Sequence, residues 1–132
     1  MSQLMHIPAP DGVAPGNGYT NVVTGTGRLI AVSGQVALAA DGTVVGRGDP
    51  EAQARQVFEN LRGCLAAAGA SFADVVKLTY FLTDAAHLPV IRGVRDQFVD
   101  TAAPPASTAV AVAALFRPEF LVEIEALALV PA

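Results

Sequence analysis

Glu123 and Glu125 stand two residues apart inside Val122-Glu123-Ile124-Glu125-Ala126. The two-residue period of a strand puts both on one face, with Phe120, Val122, Ile124 and Ala126 on the other. Drawn into a cleft, one of these carboxylates can hold and activate water; left on an open face, both are simply solvated charge. Ser33-Gly34-Gln35 closes an apolar run at residues 29–33, presenting a hydroxyl, a permissive backbone and an amide together. The same string also makes an ordinary bend or bulge. Arg92 and Arg95 are three apart, so on a helix their guanidinium groups can jointly grip a carboxylate or phosphate. Asp96, four residues after Arg92, equally permits a plain surface ion pair. Tyr19 follows Gly16-Asn17-Gly18 and is placed either to line a pocket or to pack.

Other chemistries find little support. Cys64 is the single cysteine, so an internal disulfide is ruled out, and with only two histidines, His6 and His87, no metal-ligand spacing emerges. Cys64 falls on an apolar helical stripe without an evident His or Asn partner, which reads as an inert packed thiol. Eight Lys plus Arg against twelve Asp plus Glu give a formal net charge of −4, and the pI is near 4.9. No global field draws in RNA, DNA or an anionic membrane. The first residues, Met1 to His6, lack the basic and apolar regions of a secretory signal, and no apolar run reaches the ~20 residues of a membrane span. A cytoplasmic protein is expected.

The 132 residues suffice for a single domain, residues 1–132. Hydrophobic residues are 52% of the chain and the mean hydropathy is +0.46, high enough to suggest that apolar surface meets another subunit. After a Gly/Pro-rich lead-in at residues 8–18, residues 35–38 and 43–45 flank Asp41-Gly42 as a hairpin. Asp49-Pro50-Glu51 starts a helix that runs to about Ala68, with Gly69 closing it. Ala54, Val57, Phe58, Leu61, Cys64, Leu65 and Ala68 form its apolar stripe. Residues 75–82 read as a central strand; a second helix carries Pro89 in its first turn and buries Ile91, Val94 and Phe98. Strands at 107–115 and 120–130, joined by a loop holding Arg117-Pro118, complete the chain. The predicted fold class is α+β, a two-layer domain with a mixed β-sheet packed on two α-helices, whose free sheet face needs a cover.

These pieces, in order, resemble the RidA/YjgF family of reactive-intermediate (enamine/imine) deaminases from about Ala14 to Val130. The matching stretches are Gly18-Tyr19-Thr20-Asn21, Val32-Ser33-Gly34-Gln35-Val36, Glu59-Asn60-Leu61, Ala67-Ala68-Gly69-Ala70-Ser71 with Val75-Val76-Lys77-Leu78-Thr79, Phe81-Leu82-Thr83-Asp84, Pro105-Ala106-Ser107-Thr108 and Val122-Glu123-Ile124-Glu125-Ala126. The resemblance implies a homotrimer with a barrel-like core (chorismate-mutase-like) and small-molecule clefts between subunits. It also implies hydrolysis of enamines and imines such as 2-aminoacrylate to a 2-keto acid and ammonia, with neither metal nor organic cofactor.

Tyr19, Ser33 and Glu123 match the family's pocket tyrosine, serine and water-positioning glutamate, and Ala109 falls where the family residue contributes mainly backbone. One position departs. The family's carboxylate-binding arginine, in Pro-Ala-Arg, is here Ser107, while Arg92 stands at a family asparagine on the second helix. A guanidinium clamp is worth a few kcal/mol when desolvated, about a hundredfold in binding, and a hydroxyl cannot supply it. The resemblance therefore implies Glu123 as the catalytic residue and Tyr19, Ser33, Arg92, Ser107 and Ala109 around an anionic ligand. A non-catalytic, regulatory trimer that binds a small metabolite or another protein at the same clefts is the alternative, and RNA cleavage or translation inhibition is the least supported.

Overall fold

A computed structural model of the chain describes residues 4–132; of the N-terminal reading, Met1 to Gln3 lie outside the described residues. The elements are β1 (Met5–Ile7), β2 (Val22–Thr24), β3 (Arg28–Gln35), α1 (Pro50–Ala67), β4 (Val75–Leu82), α2 (Leu88–Arg95), β5 (Ala106–Ala111) and β6 (Val122–Val130). β1 and β2 form a separate antiparallel ribbon, which periodicity did not foresee because both are only three residues long. The main sheet has the order β3-β6-β4-β5, with β4 and β5 parallel and the other pairs antiparallel. This is the mixed sheet on two helices that the patterning predicts. The last two strands, consecutive in sequence, are separated in space by β4.

Local chemistry accounts for the helices. Asp49 accepts the Ala52 N–H at 3.1 Å, Pro50 occupies the first turn, and Gly69 just beyond α1 takes φ +79°. The helical layer packs on alternate strand residues, burying Leu78, Tyr80 and Leu82 of β4 with Val122, Ile124, Ala126 and Ala128 of β6. Phe58 of α1 clusters with Phe72 and Phe98, their centroids 5.3 to 5.9 Å apart, and Phe98 packs there from beyond the end of α2 rather than within it. Cys64 packs half-buried against the core.

The expected hairpin around Asp41-Gly42 reduces to one bridge, Leu38 with Val44, because β3 bends away at a bulge between Val32 and Gln35. β5 also ends at Ala111, short of the predicted residue 115, and β6 begins at Val122 rather than at 120. The residues between them are shaped by Gln53, an amide wholly buried on α1. Its Nε2 donates to the carbonyls of Gly46 and Glu119 and its Oε1 accepts from the Leu121 N–H. Gln53→Ala orphans those three backbone groups, and a loss of about 3 kcal/mol in chemical denaturation is expected, against well under 1 for an exposed change such as Gln97→Ala.

Among the described residues no layer covers the opposite face of the sheet. Leu29 is 63% exposed, and Val110 and Leu127 are also open to solvent. Among the described residues no helix is long and apolar enough to cross a membrane.

Candidate functional site

The sequence-predicted residues divide into two groups. Glu123 lies on the uncovered sheet face, paired at Cα with Phe81, and its carboxylate packs directly on Gly34 beside Ser33. A methyl group added to Gly34 would overlap Glu123 Oε2 and push that side chain out of its present position. The carboxylate also borders a hollow of about 340 Å3 lined by Val36, Leu38, Phe116, Arg117 and Phe120. Glu125, on the same face, is exposed and outside it. Among the described residues Glu123 has neither hydrogen bond nor ion pair, so its lone pairs are free for water.

α1 fixes both walls of this hollow with side-chain amides. Gln53 holds the 119–121 wall, and Asn60 Nδ2 donates to the carbonyls of Val36 and Leu38 at 3.2 and 3.0 Å. Arg117 and Gln53 were not identified from sequence as site residues. Gln53 had a signal, an amide next to Ala54 on a buried stripe. Arg117 is already engaged: it donates to Glu119 Oε2 at 2.7 and 3.2 Å, holding that carboxyl below the usual range, and its guanidinium lies 5.2 Å from the centre of the Phe120 ring.

The second group gathers at the β5 edge on the helix-bearing side. Ser107 pairs with Leu78 and Ala109 with Tyr80, two buried residues, so both point toward the helical layer. The segment around Tyr19 is tied to the start of β5: Thr20 N–H donates to Pro105 O at 3.3 Å and Thr20 Oγ1 donates to Pro104 O at 2.6 Å. Arg95 joins the same segment to α2 by donating to Gly18 O at 2.6 Å. Gly18, at φ +80°, has Arg95 Nη2 and Arg92 Nη1 within 3.5 and 3.6 Å of the place a Cβ would take. Tyr19, Arg92, Ser107 and Ala109 thus belong to one neighbourhood.

The two arginines have different duties. Asp96 accepts from Arg95 Nε and Nη2 at 3.1 and 2.8 Å, so the ion pair is with the adjacent residue and not with Arg92 four back. Arg95 is buried and bonded to Gly18 and Asp96. Arg92 is half-exposed and, among the described residues, makes no hydrogen bond or salt bridge. Five of the eight basic side chains face a carboxylate, and Arg28 donates to Ala68 O; Lys77 and Arg92 are the cations left over.

Tyr80, within the field of Arg95 and Arg92, is 1% exposed, its hydroxyl without a hydrogen-bond partner among the described residues. Burial pushes this phenol up to about 12, against the opposing pull of Arg95. A folded-state value above the unfolded 10 means that the native chain keeps its proton longer. The associated stability is therefore intact below pH 10 and lost as pH rises toward 12. Wild type should lose about 2 kcal/mol relative to Tyr80→Phe across that interval in chemical denaturation, the larger part of what two pK units are worth.

The two groups do not meet within one protomer. Ser33 and Ser107 sit on opposite edge strands, three strand spacings or ~14 Å apart, and the Glu123 and Ala109 side chains leave the sheet on opposite faces.

Comparison with known proteins gives the chain a family context. Residues 10–130 match the family model described as Endoribonuclease L-PSP. The chain is 37% identical to the RutC family protein slr0709 of Synechocystis over 130 residues, 98% of this chain and 95% of that one. It is 35% identical over 104 residues to TdcF of Escherichia coli, named as a candidate reactive intermediate deaminase, covering 77% and 79% of the two chains. Among solved structures, the conserved Rid family protein YyfB of Yersinia pestis superposes with a TM-score of 0.88 at 36% identity, covering 97% of this chain and 99% of that one.

Proposed function

The chain belongs to the RidA/YjgF (endoribonuclease L-PSP) family, and on that premise we propose that it is a single-domain hydrolytic deaminase of enamines and imines, acting as a homotrimer at sites shared between protomers. Glu123 and Ser33 of one copy would face Tyr19, Arg92, Ser107 and Ala109 of its neighbour. The single observation that carries this reading is the division of the site residues between two edges and two faces, each half holding an unpartnered charge, Glu123 on one and Arg92 on the other. Neither half is a site alone. The open face with Leu29, Val110 and Leu127, and the unpaired outer edge of β5, supply the surface for association.

The proposed chemistry needs water and side chains alone. The enamine tautomer first takes a proton from water at carbon and releases one from nitrogen, becoming the imine. Water then attacks the C=N carbon while Glu123 removes one of its protons, and the nitrogen takes up protons as the C–O bond forms. Collapse of the carbinolamine breaks the C–N bond, releases ammonia and leaves the 2-keto acid. Arg92 supplies the positive charge that Ser107 cannot, Tyr19 and Ser33 bound the ligand, and the edge strand at Ala109 offers backbone groups.

The test is 2-aminoacrylate generated in situ by a pyridoxal-phosphate dehydratase, with pyruvate release followed. Acceleration over the buffer rate is expected, and a rate equal to buffer overturns the proposal. Ser107 in place of the family arginine favours a second reading, a trimer that binds a carboxylate metabolite without turning it over. Tight 2-keto acid binding with no acceleration would select that reading. RNA cleavage draws little support from a chain whose arginines mostly face carboxylates.

A further inference from the structure

We propose that Phe116 is a specificity-determining residue of this site, selecting 2-imino acids that carry an aromatic side chain over the three-carbon 2-aminoacrylate. The inference rests on the reading above, in which Glu123 activates the water, and names the substrate class that the hollow beside it takes.

Four apolar side chains, Val36, Leu38, Phe116 and Phe120, line that hollow next to Glu123. Among the described residues Arg117 is the only other charged side chain on its wall, and it is paired with Glu119 by two hydrogen bonds and lies against the Phe120 ring. A ligand carboxylate is therefore repelled by Glu123 with no unpaired cation to offset it, and must point outward, toward the Arg92 that the neighbouring protomer would bring. What the hollow itself can hold is an apolar group. Its size agrees: about 340 Å3 falls within the range of about 300 to 1,000 Å3 that encloses drug-sized ligands. Of the six non-hydrogen atoms of 2-aminoacrylate, three belong to the outward carboxylate, so that molecule leaves the apolar wall untouched.

Phe116 is the part of this wall with the most to gain. Its ring is 90% exposed, whereas Phe120 of the same hollow is 1% exposed. A lone exposed phenylalanine is ordinary, but this one is held beside a hollow. Its loop is tied by Val112 N–H donating to Leu82 O at 2.8 Å and Phe120 N–H donating to Arg117 O at 3.2 Å, and Gln53 fixes residues 119–121. A substrate ring entering between Phe116 and Phe120 meets an aromatic partner on each and takes apolar surface out of water. One methylene separates such a ring from the imine carbon of a phenylpyruvate imine, which leaves that carbon at Glu123 on the same wall.

The experiment uses the full chain and two substrates made in situ: 2-aminoacrylate from a pyridoxal-phosphate dehydratase, and the imine of phenylpyruvate from phenylalanine and an amino-acid oxidase, followed by trapping the remaining imine with semicarbazide. Wild type should show a kcat/KM at least about tenfold higher for the phenylpyruvate imine, and Phe116→Ala should cut that preference about tenfold, the worth of one aromatic contact. At 90% exposure the ring can be removed without unfolding the chain. A Phe116→Ala chain that loses both substrates equally, or that sediments as a smaller assembly than wild type, overturns the role of Phe116 and leaves the deaminase standing. Wild-type turnover of 2-aminoacrylate equal to or above that of the phenylpyruvate imine overturns the substrate class alone. No acceleration of either over buffer overturns the deaminase reading, and this inference with it.

Discussion

Glu123→Gln is expected to lower kcat for imine hydrolysis by about 10² to 10⁴-fold, the range for loss of a positioned general base, while KM stays near its wild-type value. The amide has the shape of the carboxylate, so it still packs on Gly34 beside the hollow bounded by Phe116 and Phe120. What it loses is the ability to take a proton from water. Glu125→Gln is the internal control: Glu125 is exposed on the same strand face but outside the hollow, and its rate should remain within about twofold of wild type. Pyruvate release from 2-aminoacrylate formed in situ measures both. A deficit shared equally by the two variants would mean that strand charge matters and the Gly34 contact does not.

Arg92→Ala is the second large effect. It should cost about a hundredfold in kcat/KM, the worth of a charge-assisted contact to a carboxylate, with Arg92→Lys recovering part of it as a point charge without the planar fork. Stability should change by less than about 0.5 kcal/mol, since Arg92 has no partner among the described residues to lose. Arg95→Ala gives the opposite pattern. Removing a buried guanidinium that holds Gly18 O and Asp96 frees the Tyr19 segment, so the melting temperature falls before catalysis is considered. Steady-state kinetics beside thermal melts separate the two arginines.

Much of the architecture was legible in the residues. Asp49-Pro50 and Gly69 bracket α1 because capping is local chemistry, and residues 75–82 form β4 as their β-branched and aromatic content implies. The alternation in Val122-Glu123-Ile124-Glu125-Ala126 put the glutamates on the correct face. What alternation cannot supply is a choice between residues that share a face. In the structure Glu123 is set apart from Glu125 by its contact with Gly34, brought beside it from β3 by a bulge, and by the hollow it borders.

The Arg92, Arg95 and Asp96 spacing was ambiguous for a similar reason. Helical geometry allowed the four-residue pair, whereas Gly18 O draws Arg95 inward and Asp96 follows it. Gln53 escaped notice because its partners at Glu119 and Leu121 lie 66 and 68 positions away, Tyr80 because the charges near it come from a different element, and Arg117 because it sits on a loop whose shape Gln53 imposes.

Subunit mixing puts the shared site to its most direct trial. Glu123→Gln and Arg92→Ala chains, each inactive alone, are unfolded together, refolded, and assayed for pyruvate release. If each site draws its acid from one copy and its cation from the next, about a quarter of the sites regain both groups, and activity returns to about that fraction of wild type. A mixture as inactive as its two components would mean that Glu123 and Arg92 never serve the same site across protomers.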